Sequence, residues 1–175
     1  MLRRALVVLI VLAWALAPAV RAQETPAPSA ASAPDPEPVF MAFDGSNVRV
    51  SQRRGKVILL NFWATYCGPC RAEMPQIQKL HEELGPKGLL VLGAAANGRD
   101  EVEPVKAAMN AAGARFETWV WVNAKDMRWY GVGPGIPATV LIDREGKIRQ
   151  RFQGAVTADQ LRPILETLLA EAPPK

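Results

Sequence analysis

The sequence predicts an α/β domain in which helices cover both faces of a mixed β-sheet. Two apolar segments typical of buried strands lie at 56–62 and 89–95, and a segment with helical spacing of apolar residues separates them. This strand–helix–strand order predicts a parallel pair with a right-handed crossover. Two further strand segments, 138–143 and 148–153, are joined by a short turn, which predicts an antiparallel pair in the same sheet.

The other elements follow from turn and capping signals along the chain. Asp44-Gly45 is a hairpin turn signal, and Gly85-Pro86 ends the first helix. Asp100 is the expected N-cap of an inserted helix, and Thr157 that of the last helix. The predicted elements are a hairpin over 39–50, a helix over 67–84, a helix over 101–112, a strand over 116–122, a short helix over 125–130 and a last helix after residue 157. Trp119 and Trp121 alternate with apolar residues and are expected to pack in the sheet.

The first 22 residues have the pattern of a secretory signal peptide. Arg3 and Arg4 precede an apolar run over 5–17, and small residues flank Arg21 at a cleavage-type site. The run is shorter than the roughly 20 residues that a spanning helix needs. The alternative is an uncleaved membrane anchor that would tether the chain. In both cases we expect the rest of the protein to be periplasmic or otherwise extracytoplasmic.

Residues 23–38 are rich in Pro, Ala and Ser and contain no large apolar residue, so a disordered linker is predicted there and a folded domain over 39–175. The chain has 21 Lys+Arg and 17 Asp+Glu, but three of the arginines belong to the predicted signal peptide. Without the signal peptide the charges nearly balance. No basic stripe with interleaved aromatic residues is present, and we therefore expect no nucleic-acid partner.

The chain has two cysteines, Cys67 and Cys70, at the start of the first helix. A structural disulfide would close a very short loop and add little stability. A structural zinc site needs four ligands, and the only histidine is His81, so we expect no metal site. Covalent haem attachment would need a histidine where Arg71 stands. A redox couple is the favoured interpretation, and it requires no cofactor.

The position of the pair at a helix start predicts different roles for the two thiols. Free backbone N–H groups and the helix dipole should stabilise a thiolate at Cys67, which we expect to be exposed. Cys70 lies one turn later and should be more buried. Cys67 would then attack a substrate disulfide, and Cys70 would resolve the mixed disulfide. Gly68 permits close approach of another backbone, and Pro69 fixes φ at the helix start.

The segments NFWATYCGPCRAEMP (61–75) and YGVGPGIPATVLIDREGKI (130–148), with the preceding hairpin and GKVILLNF (55–62), resemble the thioredoxin-like superfamily. The resemblance is closest to the TlpA/ResA-like extracytoplasmic thiol:disulfide oxidoreductases and covers about 39–169. It implies a thioredoxin fold with an N-terminal β-hairpin and a central helix–strand insert. It also implies a redox-active Cys67–Cys70 disulfide, with Cys67 as the nucleophile.

The resemblance assigns further site residues. It makes Ile136-Pro137 a cis-proline loop facing the thiols, where the Ile136 backbone would pair with a substrate peptide. Tyr66 stands where a tryptophan is usual, next to the first cysteine. The predicted substrate-binding surface consists of Ile136, Pro137, Tyr66, Gly68 and Pro69.

Glu73 is predicted to be catalytic. Many thioredoxins carry an aspartate on the strand before the thiols, but Asn61 occupies that position here. The resemblance implies that Glu73, three residues after Cys70, raises thiol pKa values and moves protons. The alternative is a helix-surface glutamate beside Arg71 or Gln76.

The resemblance implies a protein-disulfide reductase that acts on extracytoplasmic proteins and receives electrons from a membrane thiol-transfer donor. We expect a monomer. A disulfide oxidase or isomerase is the alternative enzymatic function. A redox-inert module that binds peptides is the alternative if the protein is not an enzyme. Ala138 stands where the thioredoxins of cytochrome c maturation have a glutamate, which argues against membership of that subgroup. Family analogy suggests apocytochromes and copper-site cysteines as substrates, but the sequence does not name the substrate.

Overall fold

A computed structural model describes residues 36–172. The predicted signal peptide and residues 23–35 of the predicted linker lie outside this range. Among the described residues, no helix is both long enough and apolar enough to cross a membrane.

The described chain alternates strands and helices in nearly the predicted order. The strands are β1 (Phe40–Met41), β2 (Asn47–Val48), β3 (Val57–Trp63), β4 (Leu89–Ala95), β5 (Glu117–Trp119), β6 (Ala138–Ile142) and β7 (Ile148–Gln153). The helices are α1 (Gly68–Leu84), α2 (Val102–Ala111), α3 (Ala124–Trp129) and α4 (Ala158–Ala170). Two short 3₁₀ helices lie at Val50–Arg53 and Gly85–Lys87.

The central sheet is mixed, as predicted. β1 and β2 form a separate antiparallel hairpin, and the five other strands follow the order β5-β4-β3-β6-β7. β3 pairs in parallel with β4 and antiparallel with β6. β4 pairs in parallel with β5, and β6 pairs antiparallel with β7. The carboxyl ends of β3, β4 and β5 therefore lie at one edge of the sheet.

Alternation along β3 divides the apolar interior into two cores. Leu59 and Trp63 face a core that includes side chains of α1, α2 and α4. Leu60 and Phe62 face a second core with side chains of the hairpin and α3. Because side chains alternate across a strand, Asn61 falls on the α1 side of the sheet. The expectation of helices on both faces is confirmed.

Two predicted boundaries are wrong. The N-cap of α2 is Glu101 rather than Asp100. Strand β5 has three residues rather than seven, because Val120 leaves β4 to exchange two backbone hydrogen bonds with Met41 of the hairpin. Trp121 then adopts a positive φ of 68°, which is incompatible with a continuing strand.

The two tryptophans of this insert differ. Trp119 is fully buried, as predicted, and stacks on Phe40. Trp121 is 45% exposed, so its predicted packing in the sheet is wrong. The change of backbone direction after Val120 turns this side chain out of the core.

Candidate active site

The two cysteines form a disulfide at the amino end of α1, with an S–S distance of 2.03 Å. Cys67 is the N-cap of the helix, and Pro69 lies in the first turn, where its missing N–H leaves no hydrogen bond unmade. The backbone N–H of Cys70 donates to Sγ of Cys67 over 3.2 Å. The same N–H and the helix dipole would stabilise negative charge on this sulfur after reduction.

The two cysteines differ in their access to solvent. Cys67 is 8% exposed and Cys70 is 0% exposed, so Cys70 is the more buried thiol, as predicted. Cys67 is less exposed than predicted, because its side chain packs in the core on the α1 side of the sheet when the disulfide is formed. Gly68 and Pro69 beside it are exposed, and Tyr66 is 74% exposed. The disulfide is therefore more accessible from the Cys67 side.

Glu73 is buried in the second turn of α1, with only 3% of its surface exposed. Its Oε1 accepts a hydrogen bond from Nδ2 of Asn61 over 2.8 Å. Its Oε2 accepts one from the backbone N–H of Val156, also over 2.8 Å. The alternative of a helix-surface glutamate is therefore wrong.

Burial is the main influence on the acidity of Glu73. Desolvation raises the pKa of its carboxyl group above the ordinary value of 4.5, and the hydrogen bonds from Val156 and Asn61 oppose that rise only in part. A carboxyl group with a raised pKa can take up and release a proton closer to neutral pH than an exposed glutamate can.

Asn61 links Glu73 to the strand that follows the cis-proline. It is fully buried, and strand pairing places it opposite Thr139 of β6. Its Nδ2 donates to Oγ1 of Thr139 over 3.1 Å as well as to Glu73. Its Oδ1 is buried and has no hydrogen-bond partner within 36–172. Asn61 therefore orients the Glu73 carboxyl group without adding a second titratable group.

The peptide bond between Ile136 and Pro137 is cis, as the resemblance implied. Pro137 immediately precedes β6, whose first residue, Ala138, pairs with Phe62 near the end of β3. Pro137 is buried, and its carbonyl accepts a hydrogen bond from Gly154 over 2.9 Å. Within the described part of the chain, neither the N–H nor the carbonyl group of Ile136 has a backbone partner.

Asn97 was not predicted as a site residue, yet it holds the loop before the cysteines. Its Oδ1 accepts the backbone N–H of Thr65 over 3.1 Å. Its Nδ2 donates to Oγ1 of Thr65 over 2.8 Å and to Oε2 of Glu101 over 2.6 Å. No motif in the sequence marks this residue. Only the parallel pairing of β3 and β4 brings the two loops together.

These features define a class of protein. A disulfide lies at a helix start with one cysteine more accessible than the other, and a carboxyl group is buried one turn after Cys70. The arrangement is that of a dithiol–disulfide exchange site.

Comparisons with known proteins agree with this class. The Redoxin family model matches residues 22–169, and the chain belongs to this family. It is 32% identical to the thiol-disulfide oxidoreductase ResA of Bacillus thuringiensis over 133 residues. The aligned region covers 76% of this chain and 75% of ResA. The chain is a thiol:disulfide oxidoreductase, and the alternative of a redox-inert module is not supported.

Solved structures agree on the fold. A thiol-disulfide isomerase from Corynebacterium glutamicum has a TM-score of 0.66 and 26% identity, covering 81% of this chain and 99% of that one. A thiol:disulfide interchange protein of the thioredoxin family from Chlorobium tepidum has a TM-score of 0.63 and 25% identity, covering 79% and 99%. The predicted thioredoxin fold is thereby confirmed.

The raised pKa of Glu73 predicts a pH dependence of stability. The folded state binds this proton more tightly than the unfolded state does, so folding gains free energy as the pH falls through the raised pKa toward 4.5, and that gain is absent above the raised pKa. The Glu73→Gln variant lacks the titration. Urea unfolding of both proteins at a series of pH values should show the wild type gaining stability relative to the variant as the pH falls. A difference that stays constant with pH would contradict this account.

Proposed function

We propose that the protein reduces disulfide bonds of other proteins outside the cytoplasm. The observation that carries the reducing direction is the burial of Glu73 one turn after Cys70. When this carboxyl group is ionised, its negative charge near the pair opposes formation of thiolates. Because a stabilised dithiol makes a strong oxidant, a less stable dithiol makes a better reductant.

The proposed reaction has two exchange steps. The Cys67 thiolate attacks one sulfur of the substrate disulfide, which joins Cys67 in a mixed disulfide, while the other sulfur leaves as a thiolate and takes up a proton. Cys70 then loses its thiol proton and attacks Sγ of Cys67. The mixed disulfide breaks, and the second substrate sulfur also leaves as a thiolate and is protonated. Two electrons have passed to the substrate, and the protein ends with the Cys67–Cys70 disulfide.

Glu73 would accept the proton that Cys70 loses. Glu73 lies three residues after Cys70 on the same helix, and both side chains are buried. Its raised pKa supports exchange of a proton with a thiol. Asn61 and Val156 would hold it in place through both steps.

The substrate peptide would bind along the loop before β6. The N–H and carbonyl groups of Ile136, which have no backbone partner within 36–172, would pair with an extended peptide as in β-strand addition. Pro137 would turn that backbone toward the disulfide. Tyr66, Gly68 and Pro69 would form the opposite side of the surface, since all three are exposed beside Cys67.

The proposed cycle needs a second partner. Each turnover leaves the protein oxidised, and an extracytoplasmic compartment does not supply electrons by itself. A membrane protein that transfers thiol electrons would return the pair to the dithiol. The signal-like pattern of residues 1–22 supports this location, whether that segment is cleaved or remains as an anchor. We propose that the protein acts as a monomer.

Equilibration of the purified protein with glutathione buffers tests the direction of electron flow. The fraction of dithiol is measured by alkylation and mass spectrometry. We expect a potential nearer to about −270 mV, which is typical of a reductant, than to about −120 mV, which is typical of a strong oxidant. A value near the second figure would overturn the reductase proposal and favour the oxidase.

An isomerase is the second candidate, because the similar structure from Corynebacterium glutamicum is described as a thiol-disulfide isomerase. Recovery of activity by ribonuclease with scrambled disulfides distinguishes the two. An isomerase restores activity without a net change in thiols, whereas a reductase releases free thiols without restoring activity.

A further inference from the structure

Trp121 lies in an unusual environment for a large aromatic residue. It is 45% exposed and has a φ of 68°, a left-handed conformation that normally favours glycine. Neither the core nor the backbone accounts for a tryptophan here. Strained residues of this kind are concentrated at functional sites.

The backbone around Trp121 is fixed. Its N–H donates to the carbonyl group of Asn97 over 3.2 Å. The preceding residue, Val120, donates to the carbonyl group of Met41 over 2.8 Å and accepts from the Met41 N–H over 3.2 Å. These bonds hold the loop after β5 in one position, so the exposed indole is presented by a rigid support.

Arg99 stacks on this indole. Its Cζ lies 3.8 Å from the centroid of the Trp121 ring. Arg99 is exposed, and none of the ion pairs within 36–172 involves it. Oε2 of the neighbouring Glu101 accepts hydrogen bonds from Asn97 and Gly98 rather than from Arg99. A guanidinium that lies over an aromatic face keeps its N–H groups free in its own plane, where they can bind a carboxylate with two hydrogen bonds.

This pair lies at the same edge of the sheet as the active site. Cys67 follows β3, Arg99 follows β4 and Trp121 follows β5, and these three strands are parallel. Asn97 joins the three loops, because its side chain binds Thr65 and its carbonyl group binds the Trp121 N–H. The position of Arg99 and Trp121 is therefore tied to that of the loop leading into Cys67.

We propose that Arg99 and Trp121 form a recognition site for the polypeptide that carries the substrate disulfide. The site takes an acidic side chain of that polypeptide on the Arg99 guanidinium, while the adjacent chain packs on the Trp121 indole. The proposal rests on the proposed function, since it extends the substrate surface from Tyr66 across the loops after β4 and β5. It explains both the strained tryptophan and an exposed arginine that has no ion pair with the described residues.

Two synthetic peptide disulfides test this proposal. Each is a symmetric dimer of a peptide that has a single cysteine, and a disulfide bond joins the two copies. Glutamates flank the cysteine in the first peptide, and lysines flank it in the second. Hydroxyethyl disulfide, which is neutral and too small to span the surface, is the reference substrate. Rate constants of exchange are measured with the reduced protein at low salt for the wild type, Arg99→Gln, Trp121→Gly and the control Arg128→Gln, which removes an exposed arginine of α3.

The wild type and Arg128→Gln should react at least fivefold faster with the acidic peptide than with the basic one. Arg99→Gln should reduce this preference to less than twofold. Trp121→Gly should lower the rate constant for the acidic peptide at least threefold. Its rate constant for hydroxyethyl disulfide should stay within twofold of the wild-type value. Its unfolding midpoint should be no lower than that of the wild type. Glycine adopts the left-handed conformation without strain, so stability should not fall.

Each other outcome has a distinct meaning. Equal rates for the two peptides in the wild type, or an unchanged preference in Arg99→Gln, would overturn the recognition site and leave the proposed function intact. A Trp121→Gly protein that unfolds more easily and loses activity with hydroxyethyl disulfide as well would show a structural role for Trp121 and overturn its part in recognition. If the wild type reduces neither the peptides nor hydroxyethyl disulfide, the proposed function itself fails.

Discussion

Replacement of Cys67 by serine is expected to lower the rate of insulin reduction with dithiothreitol to that of dithiothreitol alone. Cys67 is the more accessible of the two cysteines, and the helix start favours a thiolate there. A hydroxyl group cannot form the mixed disulfide, so the loss should be about 10³-fold or greater in single-turnover exchange. Insulin precipitation gives the steady-state rate, and rapid quenching with acid gives the single-turnover rate.

The Cys67→Ser variant should remain folded. Serine is among the preferred N-cap residues, so α1 keeps a suitable start. The lost disulfide closes a loop with a sequence separation of only 3, and its entropic contribution is correspondingly small. Circular dichroism and urea unfolding serve as the control. Activity retained in this folded variant would exclude Cys67 as the nucleophile.

The second large effect is expected for Glu73→Gln. Glutamine fills the same space but cannot accept the proton of Cys70, so the resolving step should slow by about 10²-fold. Because the pKa of Glu73 is raised, the wild-type rate should increase as the pH rises through that pKa and more of the carboxyl group is ionised. The variant should lack this increase. Stopped-flow measurement of mixed-disulfide decay across a pH series from acidic to mildly alkaline provides both results.

Glu82→Gln is the matched control for this experiment. It makes the same chemical change on an exposed position of α1, and its remaining oxygen can still accept the hydrogen bond from Gln78. Its resolving rate and pH profile should equal those of the wild type. A Glu73→Gln protein with an unchanged rate and an unchanged profile would reduce Glu73 to a structural residue.

The central part of the fold could be predicted because local and tertiary preferences agree there. β3 is buried at all seven positions, and its sequence is a continuous apolar run broken only by Asn61. Strand β4 has the predicted bounds, and α1 begins next to the predicted residue, after its N-cap Cys67. A strand buried on both faces needs apolar residues throughout, so its pattern in the sequence is strong.

The insert was predicted less well, because long-range pairing decides its shape. The sequence from Phe116 to Val122 has the composition of one strand. In the structure, Val120 bonds to Met41 of the hairpin instead of continuing the pairing with β4. Neither this contact nor the positive φ of Trp121 is encoded in the local pattern.

The site shows the same division. Cys67 and Cys70 follow from the motif and its place at a helix start. The burial of Glu73 does not, since one of its partners is a backbone N–H 83 residues away at Val156, and any residue type except proline could provide that group. Asn97 is similarly identified only by the packing of two loops.

Trapping of the mixed disulfide tests the central claim most directly, that Cys67 attacks and Cys70 resolves. The Cys70→Ser variant is mixed with a disulfide-bonded peptide, and the product is mapped by proteolysis and mass spectrometry. We predict a stable adduct at Cys67, whereas Cys67→Ser under the same conditions should form an adduct at Cys70 far more slowly. Equal rates of adduct formation in the two variants, or faster reaction at Cys70, would contradict the mechanism.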